Sequence, residues 1–226
     1  MLKLQNVCKT YRTTHVETRA LDDVSLDILP GEFVAIMGPS GCGKSTLLNV
    51  LGLLDGPDSG SYSFFGEEVA GYREQQLTVL RRTGVGFIFQ GFNLIDDLNV
   101  AENVEVSLLY RGVTAAERRR KVAQALERVG VAHRANHLPN QLSGGQQQRV
   151  AVARALVCEP RLILADEPTG NLDTENGEAV MSLLDEINGS GTTVVMVTHS
   201  LLHAARASRT VKLLDGRIGA ETLLAA

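Results

Sequence analysis

Cysteine is scarce in this sequence of 226 residues: there are three, Cys8, Cys42 and Cys158, with no CxxC among them. An odd, widely spaced set excludes a disulfide scaffold and most zinc modules, and it suits a reducing compartment. Long apolar runs are missing too. Nowhere do 18 apolar residues stand together, so no membrane-crossing helix is expected. The opening MLKLQNVCKT has no long apolar stretch after its charge, so no signal peptide is expected. A basic excess is also absent: 22 Lys and Arg against 26 Asp and Glu give a formal net charge of −4. That argues against general polyanion binding, nucleic acid included, and leaves a local phosphate site open. There is no repeat, low-complexity tract or linker. What is present is a 44% apolar fraction, enough for a full core and too much for a disordered chain. The length suits one α/β domain, or one domain carrying a subdomain.

Short strands are expected over residues 2–36, with Leu2, Leu4 and Val7 first and then alternating Val24, Leu26 and Ile28; Pro30-Gly31 makes a turn. The continuous apolar run 33–37 predicts a strand buried on both faces. Residues 44–54 read as helix, 62–65 and 85–89 as strands. From Gly91 to about Glu159 the pattern is helical. Thr114 and Glu117 have capping-box spacing and open a helix bearing Val122, Leu126 and Val129 on one face, ended by Gly130. Ser143 opens another. Residues 162–165 are a buried strand, Asp173 caps a helix with Val180, Leu183, Leu184 and Ile187 on one stripe, 192–198 is strand, and Asp215-Gly216 centres a hairpin. Apolar strands alternating with amphipathic helices predict a mostly parallel sheet covered on both faces.

After the strand at 33–37 comes Gly38-Pro39-Ser40-Gly41-Cys42-Gly43-Lys44-Ser45-Thr46. It matches GxxxxGK[ST], a pattern expected by chance in about 1% of chains this long. Its glycines let backbone N–H groups point inward at an anion, and the following helix adds its positive end. Lys44 can reach β- and γ-phosphates and the Ser45 hydroxyl can ligate Mg²⁺. Cys42 reads as a small side chain turned away from the phosphates; a redox switch is the alternative.

Ligands of open α/β sheets bind at the carboxyl ends of strands, so the residue each apolar run ends in matters. Strand 162–165 ends in Asp166, able to hold Mg²⁺ through water, and Glu167, able to orient or deprotonate an attacking water. The apolar run 194–198 ends in His199, able to contact a γ-phosphate or position the attacking water. Strand 85–89 ends in Gln90, a neutral metal or water ligand. Taken alone, Asp166-Glu167-Pro168 also reads as a strand-end turn and His199 as a capping or packing histidine; their coincidence with the phosphate loop selects the functional reading.

Leu142-Ser143-Gly144-Gly145-Gln146 opens a long helix. Ser143 and Gln146 have capping-box spacing. That leaves Gly144 and Gly145 unexplained, since glycine in a helix costs about 0.8–1 kcal/mol against alanine. Close approach of a phosphate to the bare N–H groups is the expected reason. Two phosphate cradles with one general-base candidate suggest a two-fold dimer, each nucleotide lying between the loop of one chain and the Ser143 helix of the other.

With these motifs the chain resembles, across its whole length, the ATP-binding subunit of ABC transporters. The resemblance rests on Tyr11, the Gly38 to Thr46 loop, Gln90, Leu142 to Gln146, Asp166-Glu167, Asn171-Leu172-Asp173 and His199. It implies an α/β P-loop NTPase with a mostly parallel core sheet, an N-terminal antiparallel β portion and an inserted α-helical subdomain. The whole of 1–226 would be one nucleotide-binding domain, with a RecA-like core at 1–90 and 160–226 and helices at about 91–159. It further implies ATP and Mg²⁺, with Tyr11 stacking on adenine, Lys44, Glu167 and His199 catalytic, Ser45, Gln90 and Asp166 on the metal, Asp173 in the loop after the acid pair, and Ser143 to Gln146 acting in trans. Residues 89–94, 108–112, 146–149 and 170–173 are similar to the ATPases of macrolide-export, lipoprotein-release and peptide-antibiotic-efflux systems. That branch implies a separate membrane permease of few helices, mechanotransmission, and a cytoplasmic place at the inner face of the membrane. The same ATPase could instead serve a signalling complex that regulates an outer partner such as a cell-wall enzyme. A chromosome or repair ATPase would need a coiled-coil insert between Ser45 and Ser143; a GTPase or small-molecule kinase leaves 142–146 unexplained. Phe92, Leu94 and Ile95 are expected to hold a partner helix, and Arg118-Arg119-Arg120-Lys121 to be a solvated helix face. Ser200 stands where the family often has an acid. The short stretch after the hairpin predicts no regulatory domain.

Overall fold

The structure, a computed structural model, describes residues 1–13 and 16–223. In chain order its elements are β1 (Leu2–Arg12), β2 (Glu17–Ile28), β3 (Phe33–Met37), α1 (Lys44–Leu51), β4 (Ser59–Phe64), β5 (Glu67–Glu68), α2 (Glu74–Gly84), β6 (Val85–Phe89), α3 (Val100–Leu109), α4 (Ala115–Arg128), α5 (Gly144–Leu156), β7 (Leu162–Asp166), α6 (Thr174–Gly189), β8 (Thr193–Val197), α7 (Leu201–Ala204), β9 (Arg209–Leu214) and β10 (Arg217–Leu223). Two short 3-10 turns precede α5. The chain forms two compact units, 1–81 with 188–226 and 82–187. Strands β6 and β7 fall in the second of these units, with α3, α4 and α5.

The first unit holds two sheets. One is antiparallel, in the order β2-β1-β4-β5. In the other, β3 lies between β8 and β9, parallel to both, and β10 pairs antiparallel with β9. β3 is buried at Phe33 to Ile36 because both its neighbours are strands and both its faces are covered. Leu2, Leu4, Leu21 and Ile28 of the antiparallel sheet, and Leu47, Val50 and Leu51 of α1, complete this core. The Tyr62 hydroxyl is buried with it and donates to the Leu51 carbonyl at 2.7 Å.

β1 and β2 run far longer than the short strands expected. Their pairing carries register shifts between Leu4, Val7, Lys9 and Thr10, and Asn6 and Asp23 have φ of 51° and 57°. Each such bulge turns the following side chains to the other face and hides one long strand from an alternation test. α1 stops at Leu51 rather than Leu54 because Gly52 and the left-handed Leu53 end it. The β9–β10 hairpin matches its expectation: Leu214 faces Arg217 across Asp215 and Gly216, both with positive φ.

The second unit pairs β6 and β7 in parallel; α5 packs on β6, and α3 and α4 pack on α5 and on each other. Thr114 accepts from the Glu117 N–H to cap α4; past its last residue, Arg128, and the cap Val129, Gly130 turns the chain with φ 73°. α3 has a capping box, Asn99 with Glu102. Asn103, almost fully buried, bonds the carbonyls of Ile95, Leu98 and Asn99 and the Ile95 N–H, and so shapes the loop before α3. Arg118 pairs with Glu105 and Lys121 with Glu159, while Arg119 and Arg120 face outward. The basic run is thus a solvated helix face. Among the described residues no helix is long and apolar enough to cross a membrane.

Candidate functional site

In the first unit, the end of β3 leads directly into the glycine-rich loop. The chain then curls tightly enough that the Lys44 ammonium turns back over it, donating to the carbonyls of Gly38 at 2.9 Å and Pro39 at 2.8 Å. Lys44 is only 7% exposed. No carboxylate pairs with it among the described residues. A buried cation satisfied by neutral oxygens alone leaves its charge uncompensated, which is a standing attraction for an anion. α1 begins at Lys44, so its N-terminal N–H groups and positive dipole end add to the same field.

Gly43 makes the curl possible. Its φ is 102°, and a Cβ there would lie 2.2 Å from the Ala20 carbonyl oxygen of β2. Gly41 has φ 79° and open space about it. Gly43→Ala should therefore destabilise the chain by at least about 2 kcal/mol and Gly41→Ala by about 1. At about 2–4 °C per kcal/mol, thermal denaturation would separate the two. Cys42 is buried, its sulfur packed against Gly38, and its carbonyl accepts from the Gly216 N–H at 3.0 Å.

Tyr11 lies on β1, half out of the surface, and is held by its hydroxyl. That group donates to Asp55 at 2.9 Å and also hydrogen-bonds Thr46, the last residue of the loop. Lys9 pairs with Asp55 at 2.7 Å and places its ammonium 5.5 Å from the centre of the Tyr11 ring. Burial, then the Asp55 carboxylate, raises the Tyr11 pKa. Burial works against ionised Asp55, but the bonds from Lys9 and Tyr11 outweigh it and hold its pKa down. β8 runs level with β3, Ile36 beside Val197, and the Thr198 N–H reaches the Ile36 carbonyl at 3.2 Å. His199 thus leaves the sheet at the edge where the loop begins. Ser200 caps α7, its hydroxyl accepting from the His203 N–H at 3.3 Å.

In the second unit β6 and β7 end level, Phe89 beside Asp166. Gln90 and Glu167 therefore emerge as neighbours from one edge. Glu167 takes φ 45°, a costly value for a residue with a side chain, and the turn is closed by the Gly170 N–H on the Glu167 carbonyl. Gln90 and Asn171 grip each other: the Gln90 amide donates to the Asn171 side-chain oxygen at 3.2 Å, and the Asn171 amide donates to the Gln90 carbonyl at 3.0 Å.

α5 opens with a full capping box. The Ser143 hydroxyl accepts from the Gln146 N–H and the Gln146 side chain accepts from the Ser143 N–H. Phe92 and Leu172 lie at ordinary contact distance from where a Cβ on Gly144 would be. At Gly145 the picture departs from the sequence expectation. A Cβ there would meet Asn176 of α6, 2.0 Å from its side-chain oxygen. The space that this glycine opens is filled by the chain itself. Asp173, the cap of α6, accepts from the Asn176 backbone N–H at 2.8 Å and from its amide at 2.9 and 3.0 Å. These bonds, the backbone one foremost, lower the Asp173 pKa.

Four further side chains organise this edge, and the sequence assigns none of them a role there. Asn171 and Asn176 are two of them. Gln148, wholly buried on α5, donates to the Pro168 carbonyl at 2.6 Å and, at 3.4 Å, to that of Phe89. Arg154, further along α5, bonds the carbonyls of Asn93 and Phe92, the latter at 2.7 Å. Phe92 and Asn93 have φ of 60° and 50°, so the arginine holds two successive left-handed residues in place. Desolvation lowers the Arg154 pKa. The only sequence signal for Arg154 is a polar residue within an otherwise apolar stretch of helix; Gln148, the last of three successive glutamines, carries none. The structure thus brings Tyr11, the Gly38 to Thr46 loop and His199 together in one unit. It brings Gln90, Ser143 to Gln146, Asp166, Glu167 and Asp173 together in the other. Ile95 is exposed, while Phe92 and Leu94 are half-buried.

Each unit by itself offers oxygen donors of the class that a hard cation such as Mg²⁺ takes: the Ser45 hydroxyl in the first, the Asp166 carboxylate and the Gln90 amide oxygen in the second. Among the described residues no group of three or more His, Cys, Asp or Glu could hold a metal unaided, so phosphate oxygens and water would have to complete its shell.

Comparison with known proteins agrees with this chemistry. The sequence profile described as ABC transporter matches residues 21–170. The chain is 48% identical over 221 residues to the macrolide export ATP-binding/permease protein MacB of Azoarcus sp. (strain BH72), covering 98% of this chain and 34% of that protein. It spans about a third of MacB, but 95% of the uncharacterized ABC transporter ATP-binding protein YknY of Bacillus subtilis (strain 168), which is 48% identical over 218 residues and matches 96% of this chain. Among solved structures, the ATP-binding cassette MJ0796, a dimer in a post-hydrolysis state bound to ADP and Pi, superposes with a TM-score of 0.93 at 47% identity and full coverage of both chains. The chain belongs to the ABC transporter family, as an ATPase domain of the P-loop α/β type.

Proposed function

We propose that this chain is the ATP-hydrolysing motor of an export or mechanotransmission complex, working on a separate permease at the inner face of the membrane. The observation that carries the proposal is the buried Lys44 ammonium, held by loop carbonyls at a helix start with no counter-charge among the described residues. The MacB relative, named as an export ATP-binding/permease protein, supports the export setting; lipoprotein, macrolide and peptide cargoes all remain within the class.

Tyr11 offers its ring to adenine. Gly38, Pro39, Ser40, Gly41, Cys42, Gly43, Lys44, Ser45 and Thr46 cradle the phosphates. Ser45, Asp166 and Gln90 hold Mg²⁺, which supplies charge neutralisation on the phosphate oxygens. Glu167 orients and deprotonates the attacking water, and His199 contacts the γ-phosphate. Ser143, Gly144, Gly145 and Gln146 bind the nucleotide of a second copy, with Asp173 in the loop between. The chain acts as one nucleotide-binding domain, with a RecA-like core at 1–90 and 160–226 and helices at about 91–159, and the Phe92 to Ile95 surface passes nucleotide occupancy to the permease.

The test is complementation. Lys44→Ala and Ser143→Arg chains are each expected to be inactive. An equal mixture gives hetero-dimers with one intact shared site, so about a quarter of wild-type turnover should return. A mixture that stays as inactive as its parts, at protein concentrations where dimers form, overturns the shared site.

A further inference from the structure

We propose that Asn176 is a positioning residue that locks the second glycine of the Ser143 helix start to Asp173, so that both present themselves to the partner's nucleotide as one body. The inference rests on the shared-site reading above and names a part it lacks. Asn176 is the third residue of α6. Its amide nitrogen faces the Asp173 carboxylate, bonded to both oxygens at 3.0 and 2.9 Å. Its amide oxygen faces α5, where it meets Gly145 and, at 3.5 Å, a guanidinium nitrogen of Arg149. The Arg149 Nε is buried without a partner, so this long contact is the one hydrogen bond of that guanidinium among the described residues.

The contact at Gly145 is closer than any side chain would tolerate. A Cβ there would stand 2.0 Å from the Asn176 oxygen, 2.3 Å from its Cγ and 2.8 Å from its Cβ. Turning the Asn176 side chain away would relieve the first two and break both bonds to Asp173. It would leave the third, since Cβ does not move with rotamer. Gly145 is therefore a glycine because of Asn176, and the pair ties the start of α5 to the start of α6. Asn171, two residues before Asp173, grips Gln90. The link therefore continues from the Ser143 helix to the Gln90 turn within one unit.

The experiment is a cycle in the full chain: Gly145→Ala, Asn176→Gly and the two together, with kcat and KM for ATP and the melting temperature without nucleotide. Glycine at 176 removes the Cβ as well as the amide. Each single variant should lower kcat about 10- to 100-fold with KM within about twofold, since the cradle for the chain's own nucleotide is untouched. The double variant should be no worse than Asn176→Gly alone in kcat and in melting temperature. Losses that multiply would show that Gly145 serves a ligand and not Asn176, and would overturn the proposal; so would Asn176→Gly with unchanged kcat. Asn176→Ser, smaller and able to donate to Asp173, supplies a milder variant: partial retention of kcat supports the link, and a loss equal to Asn176→Gly at full stability counts against it. The melting-temperature arm needs no ATP. If complementation between Lys44→Ala and Ser143→Arg fails while the melting temperatures still couple, the shared site is wrong and the Gly145–Asn176 contact stands.

Discussion

Glu167→Gln is expected to bind ATP with near-normal affinity and to turn it over about 10²–10⁴-fold more slowly, the contribution usual for a positioned general base. The substitution keeps shape and removes the proton acceptor. The backbone supports that expectation. Glu167 takes a left-handed φ of 45° at the end of β7, and the turn is closed by the Gly170 N–H on its carbonyl and by Gln148 on the Pro168 carbonyl. Glutamine meets the same backbone demands, so the turn should survive and only the chemistry should fail. With hydrolysis stopped, the ATP-bound dimer should accumulate. Size-exclusion chromatography with ATP would show it, alongside a phosphate-release assay. If the Glu167→Gln variant hydrolysed ATP at the wild-type rate, Glu167 would lose the role of base.

Lys44→Ala should act one step earlier, on binding itself. A hydrogen bond between ions is worth about 1.5–3 kcal/mol, so the dissociation constant for ATP should rise about 10- to 150-fold. Two features argue for the upper part of that range. Lys44 is buried, where water screens little, and its removal leaves the Gly38 and Pro39 carbonyls in the loop without their donor. Titration with a fluorescent ATP analogue would measure the change. An unchanged affinity would mean that the triphosphate lies elsewhere.

The parts of this molecule that sequence reveals are those whose signal is local. β3, β6, β7 and β8 are continuous apolar runs with a candidate site residue at the end of each, and their limits match expectation within a residue. The Asp215-Gly216 hairpin and the caps at Thr114, Ser143 and Asp173 are local as well. α2 is hidden because only Leu77 of its exposed surface run is deeply buried before Val85 begins β6, so it shows no apolar stripe. On α6 the stripe expected at Leu183 runs instead through Met181, with Leu183 half-buried. In the site, the motif residues are legible and their ties are not. Gln148 reaches Phe89 and Pro168, and Arg154 reaches Phe92 and Asn93, across 20 to 62 residues of chain. They act on carbonyl oxygens, which every residue has, so no pairing of side-chain types betrays them. Gly145 shows the reverse case: the glycine stands out in the sequence, but the neighbour that requires it lies on another helix.

Arg154 has a consequence for how the enzyme tolerates its surroundings. A guanidinium stays charged at any acidity a cell meets, and its two acceptors, being peptide carbonyls, never titrate. The Lys9–Asp55 pair, by contrast, dissolves once the medium is acid enough to protonate its carboxylate. The bend after Gln90 is thus pinned by a clasp that acid in the range a cell meets does not unfasten.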